Sequence, residues 1–159
     1  MKITILCVGK IKESFYREAL AEYTKRLSRY AKIEIVEVED EKTPDKASNA
    51  LCQQIKEKEG ERLLSKFDTG AYTFVLAING RQQSSESFAE KIKELGTYGT
   101  SHIQFVIGGS LGLSDKVISK ADNLISFSKM TFPHQLMRVI LSEQIYRAYR
   151  IINNEPYHK

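Results

Sequence analysis

Residues 103–112 read Ile103-Gln104-Phe105-Val106-Ile107-Gly108-Gly109-Ser110-Leu111-Gly112. A run this short, apolar on both faces and stopped by paired glycines, is a strand covered by helices on each side. Two more runs have the same character, residues 2–8 (Lys-Ile-Thr-Ile-Leu-Cys-Val) and Thr73-Phe74-Val75-Leu76-Ala77-Ile78, the latter closed by Asn79-Gly80. Between them the period changes from two to about 3.6. Phe15, Tyr16, Ala19, Leu20, Tyr23, Leu27 and Tyr30 recur at three- and four-residue spacing, which predicts a helix of about 19 residues.

The rest of the chain continues the alternation. Ile33, Ile35, Val36 and Val38 give a second strand, and a charged loop around residues 39–46 leads to a polar helix near 46–66. Ser84 or Ser85 is placed to cap a helix with Phe88, Ile92 and Leu95 facing inward. A short helix starts near Ser114, Leu124-Ile125-Ser126-Phe127 forms another strand, and a long helix runs from about Pro133 to Ile152. Alternating strands and helices predict an α/β domain with a mainly parallel sheet, one unit over residues 1–159. The acidic loop and the tail from 153 to 159 are the expected least ordered segments.

Composition excludes several classes. The chain is 42% hydrophobic and 28% charged, the balance of an ordinary globular domain. A membrane span needs roughly 18–20 consecutive apolar residues, and no stretch approaches that. The apolar N-terminal run is too short for a signal core, so a cytoplasmic protein is expected. Cys7 and Cys52 read as small buried hydrophobes in a reducing compartment. His102, His134 and His158 lack metal-ligand spacing. The net charge of +4 is uneven: residues 97–159 hold 7 basic and 4 acidic side chains. That bias suits a polyanionic partner and equally a neutral-substrate enzyme.

Ligands of open α/β sheets bind beyond the C-terminal ends of the strands. Three segments converge there: Leu76–Gly80, Gly108–Gly112, and Ser126–Pro133. The glycines allow close backbone approach to a ligand, but the spacing is neither a dinucleotide fingerprint nor a Walker loop. The third segment passes from a strand to a proline at a helix start, leaving backbone groups free to read the edge of a flat heterocycle or to bond to one another. The last helix is apolar almost all round, so either a second subunit or the domain itself covers more than one face. Glu143 and Arg147 form an i,i+4 pair. Arg138 and Arg150 have no evident partner and are available to RNA phosphate or to a surface.

Phe105-Val106-Ile107-Gly108-Gly109-x-x-Gly112-Leu113-Ser114, Ser126-x-Ser128-Lys129-Met130-Thr131-Phe132-Pro133-His134-Gln135, Arg138, Glu143-Gln144-x-Tyr146-Arg147-Ala148 and the closing Tyr157-His158-Lys159 resemble the RlmH family. Its members are large-subunit ribosomal RNA methyltransferases of the SPOUT superfamily, and length and motif order agree over the whole chain. The resemblance implies transfer of a methyl group from S-adenosylmethionine to N3 of a pseudouridine in 23S rRNA. It also implies a deep trefoil knot in the C-terminal half and a homodimer; from the residues themselves, no membrane or metal partner is expected. Carried over residue by residue, Leu76, Gly108, Phe127, Ser128, Lys129, Met130, Thr131 and Phe132 line the cofactor pocket. His134 and His158 are the candidates, by residue type, for taking the N3 proton. Arg138, Tyr157, His158 and Lys159 are the candidate RNA contacts, the tail of one subunit closing the site of the other. The rival readings are a small-molecule nucleotide-binding enzyme and a non-enzymatic ribosome-associated factor.

Overall fold

The computed structural model describes residues 1–159. Five strands, β1 (Lys2–Val8), β2 (Lys32–Val38), β3 (Tyr72–Gln82), β4 (His102–Ile107) and β5 (Asn123–Ser126), form one parallel sheet in the order β2-β1-β4-β3-β5. Five helices connect and cover them: α1 (Ser14–Leu27), α2 (Asn49–Leu64), α3 (Ser85–Thr97), α4 (Asp115–Ile118) and α5 (His134–Ile152). The mainly parallel α/β expectation is borne out, and the sheet is parallel throughout.

Strand side chains alternate between two cores. Ile3, Ile5 and Cys7 of β1 join Phe74, Phe105 and residues of α1, α3 and α5 on one face. Leu6, Val8, Val75 and Val106 meet Leu63 of α2 and Val117 of α4 on the other. Phe74 and Phe105 stack at 4.9 Å, both fully buried, and each such side chain contributes about 1.5–3 kcal/mol by leaving water. Cys7 lies within this core as a free thiol, pushed up to about 12 by burial. Thr4, Gln104 and Thr73 form a buried polar row across β1, β4 and β3. The Gln104 amide donates to Asp68 O and Thr73 Oγ1 and accepts from Asp68 N–H, which pins the α2–β3 loop to the sheet.

Several boundaries differ from the periodicity. α1 ends at Leu27, because Ser28 N–H turns back to Thr24 O and Lys25 O; Tyr30 lies beyond it, stacked on Tyr149 at 5.4 Å. α2 starts later than expected, where Ser48 Oγ accepts the Leu51 N–H at 3.1 Å. β3 runs through Asn79-Gly80 instead of stopping there. A bulge places both Leu76 and Arg81 opposite Ile125, and a Cβ on Gly80 would fall 2.4 Å from the Ile125 carbonyl carbon. Ser84, one of the two serines placed to do so, caps α3, and Ser114 caps α4.

The tail is docked rather than loose. Tyr157 packs edge-on against Tyr146 at 4.9 Å and donates to Glu143 Oε1 at 3.0 Å, with the Arg147 guanidinium over its ring. Arg150, expected to lack a partner, pairs with Glu155 and donates to Pro156 O. The expected Glu143–Arg147 pair is present at 2.5 Å.

Arg138 requires a larger correction. It is fully buried, so in this chain it is not available to RNA phosphate. Its guanidinium donates to Val8 O at 2.8 Å, Gly9 O at 2.7 Å and Glu37 Oε2 at 2.8 Å, tying α5 to the ends of β1 and β2. An apolar replacement leaves those acceptors without their donor. Arg138→Met is expected to lower the unfolding free energy by about 2–6 kcal/mol, from leaving the buried carbonyls of Val8 and Gly9 without a donor at about 1–3 kcal/mol each. Urea denaturation followed by circular dichroism measures it.

Candidate active site

A cavity of about 750 Å³ opens beyond the C-terminal ends of β3, β4 and β5. The three segments singled out by sequence build it: Leu76–Asn79, Ile107–Leu113 and Ile125–His134, Lys129 excepted, with Ile118 and Met137 completing the wall. Parallel topology brings them together, since every strand delivers its C-terminal loop to the same edge. The volume lies within the range of pockets for cofactor-sized molecules.

The glycine segment is a tight turn. Gly112 N–H donates to Gly109 O at 3.1 Å, and Gly112 has φ +86°, which a side chain would strain. A Cβ on Gly108 would fall 2.9 Å from the Gly112 carbonyl group, so the turn folds back directly over that residue. The Phe127–Phe132 stretch carries no backbone-to-backbone hydrogen bond. Two side-chain bonds shape it, Ser126 Oγ to Ser128 O at 2.9 Å and Met130 N–H to Ser128 Oγ at 3.0 Å. Its other amides and carbonyls have no backbone partner, the condition for reading the edge of a flat heterocycle.

Of the residues expected to meet a cofactor, Leu76, Gly108, Phe127, Ser128, Met130, Thr131 and Phe132 line the cavity. Lys129 does not; its side chain is exposed outside the wall. His134 lies at the edge of the cavity and is the only side chain of the lining that ionises in the ordinary pH range. Burial and then the Arg138 guanidinium lower its imidazole below the usual 6.5, against the opposing pull of Asp40 and Glu13. His134 Nε2 and Asp40 Cγ each lie 3.6 Å from where Gly9 would carry a Cβ, so Gly9 makes room for both. Nothing in the sequence linked Gly9 or Asp40 to this site, because the contact spans more than ninety residues.

The tail residues are elsewhere. Tyr157, His158 and Lys159 do not line this cavity. Both nitrogens of His158 are engaged, Nε2 with Glu86 Oε1 at 2.7 Å and Nδ1 with Arg147 at 3.2 Å. One chain therefore does not bring His134 and His158 to a common centre. No group of three or more His, Cys, Asp or Glu side chains is arranged to hold a metal ion, and no helix is long and apolar enough to cross a membrane.

Comparison with known proteins agrees with this geometry. The family model described as "Predicted SPOUT methyltransferase" matches residues 1–158. The chain is 62% identical over 159 residues to the ribosomal RNA large subunit methyltransferase H of Bifidobacterium adolescentis, and 60% identical to that of Lactobacillus acidophilus, each covered completely in both directions. Among solved structures, a methylase family protein from Haemophilus influenzae superimposes with a TM-score of 0.57 at 14% identity, over 99% of this chain and 70% of that one. A Legionella pneumophila protein of methyltransferase type, solved with bound S-adenosylmethionine, gives 0.51 at 9% identity, over 94% and 66%. The folds correspond, and the match along 158 residues decides the rest: this chain belongs to the SPOUT methyltransferase family.

Proposed function

We propose that this protein transfers a methyl group from S-adenosylmethionine to large-subunit ribosomal RNA, at N3 of a pseudouridine in 23S rRNA, as a cytoplasmic homodimer. The observation that carries this reading is the cavity itself, an apolar bowl edged by the unpaired backbone of Phe127–Phe132 and by a turn that excludes a side chain at Gly108 by contact and at Gly112 by its positive φ. Full-length relatives named as methylating this RNA support the choice of substrate. The reading takes residues 1–159 as one domain with a trefoil knot in its C-terminal half.

S-Adenosylmethionine supplies an already activated methyl group, so the protein has little bond-breaking to assist. Its residues hold the reactants in line, keep out water and take up the N3 proton. Leu76, Ile107 and Phe132 provide apolar wall, while the free amides and carbonyls after β5 fix orientation. His134 is the group for the proton. Its lowered imidazole is neutral and able to accept at pH 7, and no carboxylate or amine in the lining competes with it.

The dimer is supported by α5. Leu136, Val139 and Ile140 are partly exposed and belong to neither core, while Ile78 and Met130 at the cavity are 56% and 73% exposed. A second subunit covering this surface would also bring its own tail to the site. There the exposed Lys159 would offer positive charge to RNA, beside a Tyr157 ring held in place by Tyr146 and Arg147.

Labelled methyl from S-adenosylmethionine is expected on ribosomes from a strain lacking this gene, and not on wild-type ribosomes or naked rRNA. No label despite cofactor binding would favour a small-molecule enzyme, and no binding a non-enzymatic factor. His134→Ala is expected to slow transfer by about 10²–10⁴-fold, the usual worth of a general base. Because only the neutral imidazole accepts a proton, the wild-type rate is level near neutrality and falls as pH drops through the lowered value, below 6.5. Single-turnover rates against pH should lose that acid limb in the variant. Truncation after Glu155 is expected to abolish transfer while cofactor binding, measured by calorimetry, persists; unchanged methylation would remove the tail from the mechanism.

A further inference from the structure

Behind the glycine turn, on residues that do not line the cavity, α2 presents two unusual neighbours. Glu59 is 4% exposed, and its only hydrogen bond is accepted from the Glu41 N–H at 3.1 Å. Burial raises its carboxyl above the usual range, and Asp40 and Glu41 push the same way against Arg62. A carboxylate in such surroundings is a poor device for stability, since burying it costs more than one amide returns. Gly60 is buried in the interior of the same helix, where glycine costs about 1 kcal/mol relative to alanine.

Both residues touch the ends of one loop. The Glu59 carboxylate oxygens lie 3.1 and 3.2 Å from where a Cβ of Gly109 would stand, so the carboxylate rests against that residue's backbone. A Cβ on Gly60 would fall 2.4 Å from Ser114 Oγ, the hydroxyl that caps α4. Gly109 begins the turn and Ser114 ends it. Arg62, one helical step on, donates to Glu39 O and Glu41 Oε1, which holds the acidic loop against Glu59. We propose that Glu59 and Gly60 are positioning residues that set the shape of the Gly108–Gly112 turn, and thereby its affinity for cofactor, from behind the cavity. This inference rests on reading the cavity as the S-adenosylmethionine site. It gives both local sacrifices one reason: the close approach of α2 fixes a turn whose glycines have no side chains to fix it.

The test uses the full-length protein and two readouts, calorimetric titration with S-adenosylmethionine and hydrogen exchange of residues 109–113 without ligand. Gly60→Ala is expected to weaken binding about tenfold and to speed exchange in the turn, with the melting temperature close to wild type. Adding Ser114→Ala removes the obstructing oxygen and should recover affinity to within about threefold. Glu59→Ala should behave like Gly60→Ala, while Glu59→Gln, which keeps the volume and the bond to Glu41, should recover most of the affinity. In turnover, the loss should appear in KM for the cofactor and not in kcat. Unchanged exchange in Gly60→Ala, no relief by Ser114→Ala, or a loss confined to kcat would overturn the proposal. Wild-type protein that fails to bind S-adenosylmethionine would overturn the cofactor reading instead, and the exchange data alone would then decide whether α2 holds the turn.

Discussion

The buried guanidinium of Arg138 is the constraint on which the active edge depends. It enters from the second turn of α5 and reaches the carbonyls of Val8 and Gly9 and the carboxylate of Glu37. A planar fork of donors can satisfy several acceptors at once, which an ammonium group cannot. The start of the last helix is thereby fixed against the ends of β1 and β2, and His134, one turn earlier, is carried to the edge of the cavity. The same charge helps to keep that imidazole neutral. One side chain thus couples the position of a candidate proton acceptor to its protonation.

Close backbone approach is the second theme. Gly80 lets the β5 backbone lie against β3, Gly108 lets its own turn fold over it, and Gly60 lets α2 meet Ser114. Each removes a side chain that would otherwise collide, at Gly80 and Gly60 with a segment distant in sequence and at Gly108 with its own turn. The result is a wall in which main chain lies exposed between apolar side chains. Such a wall can present amides and carbonyls to a ligand without the entropy cost of ordering long side chains.

Much of the candidate site was legible in the residues. Glycines after an apolar strand and an unpaired stretch before a helix-starting proline mark strand ends, and parallel sheets gather strand ends at one edge. Leu76, Gly108, Phe127 and Phe132, named on that ground together with the family resemblance, line the cavity. Arg138 was misread, because a lone arginine on an apolar helix looks the same whether it faces phosphate or buried carbonyls. Its acceptors lie about 130 residues away. The tail was expected among the least ordered segments, and its order has a related origin. Tyr157 and His158 gain order from Tyr146, Glu143 and Glu86, partners that a local pattern does not supply.

The sequence by itself determined the alternation of strands and helices, the burial of three strands on both faces, a cap at Ser84 or Ser85, and the family. These follow from side-chain period and short-range hydrogen bonding, which act over a few residues. Tertiary structure alone decided that Arg138 lies inside, that β3 continues past Gly80, that Glu59 rests on Gly109, and that His134 and His158 of one chain stay apart. Those outcomes depend on which distant segments meet, and the physical reason is packing: a buried polar group takes whichever partners the folded chain brings within hydrogen-bonding distance.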